Sequence, residues 1–265
     1  MAVEVLSMLV LVINLDASVD RMRNMSEQLK RMDVSFSRIS AVDGGKLSEK
    51  FVDSIVPPFS DILARLDFPK KLTKGEIGCF LSHRKCWQTL LESKEEWALV
   101  LEDDVYISDR VKEYIGREDW IPEGAGFVQL NIDRKRSFCI RPRSVELDTG
   151  DTLYGIFYPY PMGAFAYIIS RRTAEDALIS SAKIVAPVDE FLFAFRSKFS
   201  RRHIIYTLNP AVVTVQEIPS IIGNRGEKRK KLLLARFHPK VLLFKLYVFI
   251  LRCFFRKRVE IYFEN

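Results

Sequence analysis

A run of strand-forming residues, Trp97-Ala-Leu-Val-Leu, ends in three consecutive carboxylates, Glu102, Asp103 and Asp104, before Val105-Tyr-Ile-Ser resumes the pattern. A buried strand that finishes this way places negative charge at the carboxyl edge of a sheet. In open α/β sheets ligands bind in the crevice outside that edge, and crowded carboxylates repel one another unless a cation or a set of donors offsets them. Oxygen ligands in that number predict a divalent cation, Mn2+ or Mg2+. The same acids also suit a plainer role, ending the strand on its solvent side and leading into the turn before Ser108.

The order of patterns before this strand predicts a βαβ unit. The apolar run Val5 to Leu15 carries Glu4, has no basic flank and no small-residue cleavage site, and so reads as a buried first strand rather than a signal peptide. It ends in Asn14 and Asp16, both able to hydrogen-bond a ligand. Val19, Met22, Met25, Leu29 and Met32 then recur at helical spacing, with Arg21 and other basic residues on the remaining faces. SFSRISAVDGG reads as a second strand running into a turn at Asp43-Gly44-Gly45, which completes the unit and predicts a mostly parallel sheet. Residues 46 to 72, broken by Pro57-Pro58 and Pro69, read as an insertion.

Thr73 and Glu76 form a T-x-x-E capping box for a helix whose apolar stripe runs through Ile77, Phe80, Leu81, Trp87, Leu90 and Leu91, with Ser82 and His83 in its middle. Strands are expected at Gly126–Asn131, Gly163–Ser170, Ile204–Leu208 and Ala211–Gln216, a basic loop at Asp133–Arg143, and a helix at Arg171–Ser180. In APVDEFLFAF a proline precedes a helix whose first turn holds Asp189 and Glu190; those acids suit the helix dipole whatever else they do.

Net charge becomes informative once it is located. From Glu227 to Asn265 there are 11 Lys/Arg against 3 Asp/Glu, so the rest, with 30 against 31, is close to neutral. A near-neutral body does not offer the basic groove that a carboxylate-based metal nuclease would need, which argues against nucleic acid as a partner. Within the basic segment, 13 of the 15 residues from Val241 to Phe255 are apolar, and Lys245, Arg252 and Arg256 fall on one helical face. The longest unbroken apolar run is far short of the ~20 residues that span a bilayer. The pattern predicts an interfacial helix, with the basic clusters Lys228–Lys231 and Arg256–Arg258 meeting anionic headgroups; docking on the domain or on a dimer partner is the competing role. Four cysteines without a CxxC pair predict reduced thiols and a cytosolic setting.

No G-x-G-x-x-G follows the first strand, and there is no P-loop, no G-x-S-x-G elbow and no H-E-x-x-H helix. What remains is a sheet-edge acidic cluster with polar groups at neighbouring strand ends, an arrangement suited to a metal-chelated diphosphate. In this context VINLDASVDRM, ISAVDG, LTKGEIGCFLSHRKCW, ALVLEDDV, GAFAYIISRRTA and PVDEFL, followed by Pro210 to Gln216, resemble the ordered motifs of glycosyltransferase family 25. That family contains bacterial lipooligosaccharide galactosyl- and glucosyltransferases and the related collagen galactosyltransferases. Met22 departs from it, standing where a second arginine often follows the Asp-Arg pair, and the basic apolar tail is not a family motif.

The resemblance implies an α/β fold of GT-A type: a single nucleotide-sugar-binding domain, residues 1–226, with residues 227–265 as a basic, amphipathic, membrane-associating helical tail. It implies an inverting transfer of a hexose, most often galactose, from a UDP-sugar to a saccharide acceptor. Glu102, Asp103 and Asp104 then correspond to the metal motif; Asn14, Asp16, Arg21, Asp43, Gly44, Ser82 and His83 become candidates for nucleoside and sugar contacts. Inversion needs a base that the metal-bound acids do not supply, and Asp189, matching the family's Pro-Val-Asp, is the first candidate, Glu190 the second. The expected partners are a UDP-hexose, a lipid-linked oligosaccharide and an anionic membrane surface, and the expected location is the cytoplasmic face of the bacterial inner membrane. An inactive sugar-nucleotide-binding scaffold would keep the same fold without turnover.

Overall fold

The first strand, β1 (Leu9–Asn14), is apolar until its last residue and buried from Val10 onwards, as a strand covered on both faces must be. A computed structural model of the protein describes residues 8–58, 71–157, 163–216, 239–254 and 257–265. After β1 come α1 (Val19–Arg31), β2 (Ser37–Ser40), α2 (Glu49–Ile55), α3 (Lys74–Glu92), β3 (Trp97–Glu102), β4 (Val105–Ile107), β5 (Ala125–Gln129), β6 (Asn131–Ile132), β7 (Arg136–Glu146) and β8 (Thr152–Ile156). Then follow β9 (Ala166–Ser170), α4 (Arg171–Ser180), α5 (Val188–Phe193), β10 (Ile204–Asn209), β11 (Val213–Val215), α6 (Pro239–Phe254) and β12 (Arg258–Ile261).

Nine strands form one sheet in the order β12-β7-β8-β10-β5-β9-β3-β1-β2, and β4-β11-β6 form a smaller one. Successive side chains of a strand point to opposite faces, so β1 and β3 divide their residues between two cores. Leu11, Ile13, Ala98 and Val100 pack under α3, α4 and α5, against Phe80, Trp87, Ala174, Ala177 and Phe191. Val10, Val12, Leu99 and Leu101 pack under α1, against Met25 and Leu29. Burying the large aliphatic side chains among these stabilises by about 1.5–3 kcal/mol each, which holds β1 and β3 firmly in the sheet. The capping box at Thr73 and Glu76 is formed in both directions and fixes the start of α3. Arg171, from the SRRT segment, donates to the carbonyls of Leu91, Ser93 and Glu95 and so satisfies the far end of α3.

Four expectations need correction. The sheet is mixed: β1 pairs in parallel with β2 and β3, and β5 with β10, but the other neighbours are antiparallel because β9 inserts between β3 and β5 and the β7–β8 hairpin adds an arm. The basic stretch read as a loop is mostly β7. The stretch read as an irregular insertion contains α2, capped by the Ser48 side chain on Phe51 N; residues 59–70 of it lie outside the described residues. The tail is not helical throughout, because β12 pairs with β7 at the sheet's edge and buries Ile261. The cluster Lys228–Lys231 lies outside the described residues.

Despite the mixed pairing, β1, β3 and β5 run in one direction, since β9 is antiparallel to both β3 and β5. Asn14, Glu102 and Gln129 therefore end at a common edge, and the site is built there.

One pair on the far side of the sheet sets an acid limit. His203 Nε2 lies 2.8 Å from Asp176, which also accepts from Arg202. Burial holds the His203 pKa below its usual value against the pull of Asp176, and although burial works the other way on Asp176, its bonds to His203, Ser180 and Arg202 leave its carboxyl below the usual range. In both groups the folded state binds the proton less readily than the unfolded chain, so both contributions are present above the unfolded pKa and lost as pH falls. Urea midpoints should fall from about pH 6.5 downward through the histidine and again below about pH 4 through the carboxylate. His203→Asn should flatten the upper limb of that profile, and a profile unchanged by the substitution would refute the assignment.

Candidate active site

The polar end of β1 and the acidic end of β3 meet directly. Asn14 is 2% exposed; its Nδ2 donates to Asp103 Oδ2 at 2.7 Å and to Ser18 O at 3.0 Å, and its Oδ1 accepts from Arg38 Nε at 2.9 Å. Arg21 projects from α1, 12% exposed, and one terminal nitrogen lies 3.2 Å from both Asp103 Oδ1 and Asp104 Oδ2. Asp103 thus has an amide on one oxygen and a guanidinium on the other, which fixes it in place. Asp16 reaches the site's rim, held by Arg38 at 2.5 Å and by Ser40, and the Arg38 bond keeps its carboxyl below the usual range.

Asp104 is different. Its pKa is pushed up to about 6, first by burial and then by the charge of Glu102, against the pull of Arg21. The cluster therefore carries more negative charge than Arg21 neutralises, which is the condition a bound cation relieves. Glu102 accepts from His83 Nε2 at 3.3 Å, and His83, fully buried, has its other ring nitrogen 2.9 Å from Tyr167 Oη. Trp87 Nε1, which can only donate, lies 2.9 Å from the same oxygen. Trp87 donates to Tyr167 Oη, and His83 stands between that oxygen and Glu102, one ring nitrogen facing each.

Cys79, His83 and Glu102 form a group of three whose ligand atoms lie within 4.8 Å of one another. Burial, followed by the charges of Glu102, Asp189 and Asp104, pushes the Cys79 thiol well above its usual pKa. Glu102 and Asp104 repel each other and offer oxygen atoms only, the ligand chemistry that suits a hard divalent cation. The three acids do not act as one equal set, because Asp103 is committed to Asn14 and Arg21.

Asp189 lies near enough to Cys79 for its charge to act on the thiol, as those of Glu102 and Asp104 do. Asp189 stands half-buried at the start of α5, its Oδ1 accepting from Glu190 N at 2.9 Å. Glu190 instead pairs with Arg196.

Other expected contacts have structural work. Ser82 Oγ donates to Gly78 O and accepts from Val42 N, tying the 42–46 turn to α3. Asp43 caps that turn through Gly45 N. Gly44 is buried against the first turn of α3, where a Cβ would stand 2.0 Å from Lys74 O; a Cβ on Gly78 would stand 2.5 Å from Val42 O. Both glycines are needed for close approach of two backbones. Gly78→Ala should therefore lower stability by about 1–3 kcal/mol, read as a shifted denaturant midpoint. An unchanged midpoint would mean that the turn gives way freely. Two residues that sequence reasoning passed over, Gln129 and Asn131, lie at or beyond the end of β5 and are fully buried, with Gln129 Oε1 and Asn131 Nδ2 unpartnered among the described residues. The signal was present in GFVQLN, where two amides follow a buried strand.

Comparison with known proteins follows the same residues. The family model for glycosyltransferase family 25 (LPS biosynthesis protein) matches residues 8–192, which carries every motif from β1 to α5. The chain belongs to glycosyltransferase family 25. Among its relatives, the lipooligosaccharide biosynthesis protein lex-1 of Haemophilus influenzae is 25% identical over 233 residues, covering 78% of this chain and 76% of that protein. Procollagen galactosyltransferase 1 of Danio rerio is 30% identical over 198 residues, 69% of this chain but 30% of its own length. The inactive glycosyltransferase 25 family member 3 of Homo sapiens is also 30% identical, over 190 residues that make up 69% of this chain and 31% of that protein. The chain thus spans about a third of the length of these two animal relatives.

Proposed function

We propose that this family 25 chain is an inverting hexosyltransferase that moves galactose from UDP-galactose to a saccharide acceptor in lipooligosaccharide or lipopolysaccharide biosynthesis. The observation that carries the reading is the convergence of Asn14, Arg21, Glu102, Asp103 and Asp104 at the carboxyl edge of β1 and β3. The acceptor class is taken from the relative named for lipooligosaccharide biosynthesis, and the sugar from the procollagen galactosyltransferases. We assign residues 1–226 to a GT-A-like catalytic domain, to which β12 adds an edge strand, and place the chain at the cytoplasmic face of the bacterial inner membrane.

Asp104 and Glu102 would hold a divalent cation, which when bound supplies positive charge to the diphosphate leaving group. Asp103 braces Asn14 and Arg21. The acceptor hydroxyl attacks the anomeric carbon from the face opposite the diphosphate; the carbon–oxygen bond to phosphate breaks, and the hydroxyl proton passes to Asp189. A cradle of fixed dipoles and charges around the leaving group is worth more here than in water, because the site is largely buried.

Incubation with UDP-galactose, UDP-glucose and UDP-N-acetylglucosamine, with and without a saccharide acceptor, tests the reading. Transfer from UDP-galactose with inverted anomeric configuration supports it; turnover of another donor alone, or retention, overturns the finer assignment. A second reading rests on the equal identity to a family member named inactive. Donor binding without hydrolysis or transfer on a panel of acceptors would establish it.

A further inference from the structure

The face of α6 is an unusual surface for a chain with a well-filled core. Leu242, Leu243, Leu246, Phe249, Ile250 and Phe254 are all exposed, Leu243 by 65%, Phe249 by 64% and Phe254 by 78%. At 3.6 residues per turn they cover an arc of about 140° on one side of the helix, far broader than a coiled-coil seam. Scattered exposed apolar residues need no explanation, but a contiguous array of six does. The helix cannot cross a bilayer: its 16 residues reach about 24 Å, and no helix among the described residues is long and apolar enough to span.

Two further observations decide what covers this face. Exposed Lys257 and Arg258 lie just beyond the helix, within a segment from Glu227 to Asn265 that holds 11 Lys/Arg against 3 Asp/Glu while the rest of the chain is nearly neutral. The helix is also tied to the body at its middle and just past its end. Tyr247 packs its ring 5.9 Å from that of Phe195, two residues past α5, and β12 joins the edge of the large sheet shortly beyond the helix. An apolar face with a basic flank, held beside the segment that carries Asp189, complements a surface that is apolar inside and anionic at its rim.

We propose that α6 is a docking helix that lies in the interface of an anionic phospholipid bilayer, with the six apolar side chains among the acyl chains and the flanking lysines and arginines at the headgroups. Because Tyr247 of α6 packs on Phe195, docking sets the chain just after α5 close to the membrane plane. If the proposed transfer reaction is right, this is where a lipid-borne saccharide would be presented; the docking itself requires neither donor nor turnover.

The test is sedimentation of the full chain with vesicles of phosphatidylcholine alone and of phosphatidylcholine containing about a third phosphatidylglycerol, at low salt and at about 0.5 M salt. Binding should be at least tenfold tighter to the anionic vesicles at low salt and should weaken at high salt. Leu243→Glu together with Phe249→Glu, both at exposed positions, should abolish it while circular dichroism stays that of the parent. Failure of the full chain to sediment with anionic vesicles would overturn the proposal, as would undiminished binding by the double variant. So would a concentration-dependent dimer in analytical ultracentrifugation that the double variant splits, since the face would then belong to a second copy. None of these results depends on sugar transfer, so loss of the docking proposal would leave the reaction standing and the converse.

Discussion

Asp104→Asn should lower turnover by about 10²- to 10³-fold while leaving the fold intact, the range that follows from removing one preorganised electrostatic group at a site of developing charge. The substitution keeps the side chain's size and leaves an oxygen for Arg21, so the 3.2 Å contact can persist as a hydrogen bond to a neutral group. What disappears is the charge that Glu102 opposes and Arg21 only partly neutralises. Activity alone would not distinguish loss of a cation from loss of shape. Titration of Mn2+ into the protein without donor, followed by calorimetry, supplies the second readout: affinity should drop at least tenfold in the variant. Full turnover of the parent enzyme in excess chelator, or equal Mn2+ affinity in the two proteins, would remove the cation from this account.

The parts of the molecule legible in the sequence are those specified by neighbours in the chain. The α1 stripe, the capping box at Thr73 and the buried strands β1 and β3 each follow from a period or a local bond, and each stands where the pattern puts it. Strand direction does not: nothing within Ala166–Ser170 says that it runs antiparallel between β3 and β5. β7 was hidden because its three arginines and Pro142 interrupt any regular alternation, which a strand near the sheet's edge tolerates. β12 was hidden because its partner lies far back in the chain.

The site divides in the same way. Its acidic centre was legible because three consecutive carboxylates after a buried strand are expensive to place anywhere but at an edge. The work of Ser82, His83 and Gly44 was not, because each is defined by a partner from another segment: Val42, Tyr167 with Glu102, and the backbone of Lys74. A polar residue in a family motif can therefore serve the site by holding its walls together, and here His83 does so by linking Tyr167 to Glu102.

Asp189→Asn is the substitution that separates chemistry from binding. The short helix α5 is clamped by Phe191, which packs on Phe80 at 5.2 Å and stacks on Phe199 at 4.5 Å, while Val188, Leu192 and Phe193 are buried around it. Pro187 precedes the helix with φ −57°, which fixes the entry of the chain and with it the direction of the next but one side chain. The asparagine introduced there can still accept from Glu190 N through its amide oxygen, so the 2.9 Å bond that holds the Asp189 side chain need not be lost. The amide, however, cannot take up the acceptor's proton. Base catalysis contributes about 10²- to 10⁴-fold, so kcat should fall by at least about 10²-fold with donor affinity unchanged. Glu190→Gln, at the acid already paired with Arg196, should cost far less turnover, because that carboxylate is engaged in holding the turn after α5. If Asp189→Asn instead loses donor binding in step with activity, the residue belongs to the donor pocket. If Glu190→Gln is the more damaging change, the base lies one position further along, and the Arg196 pair must open for catalysis.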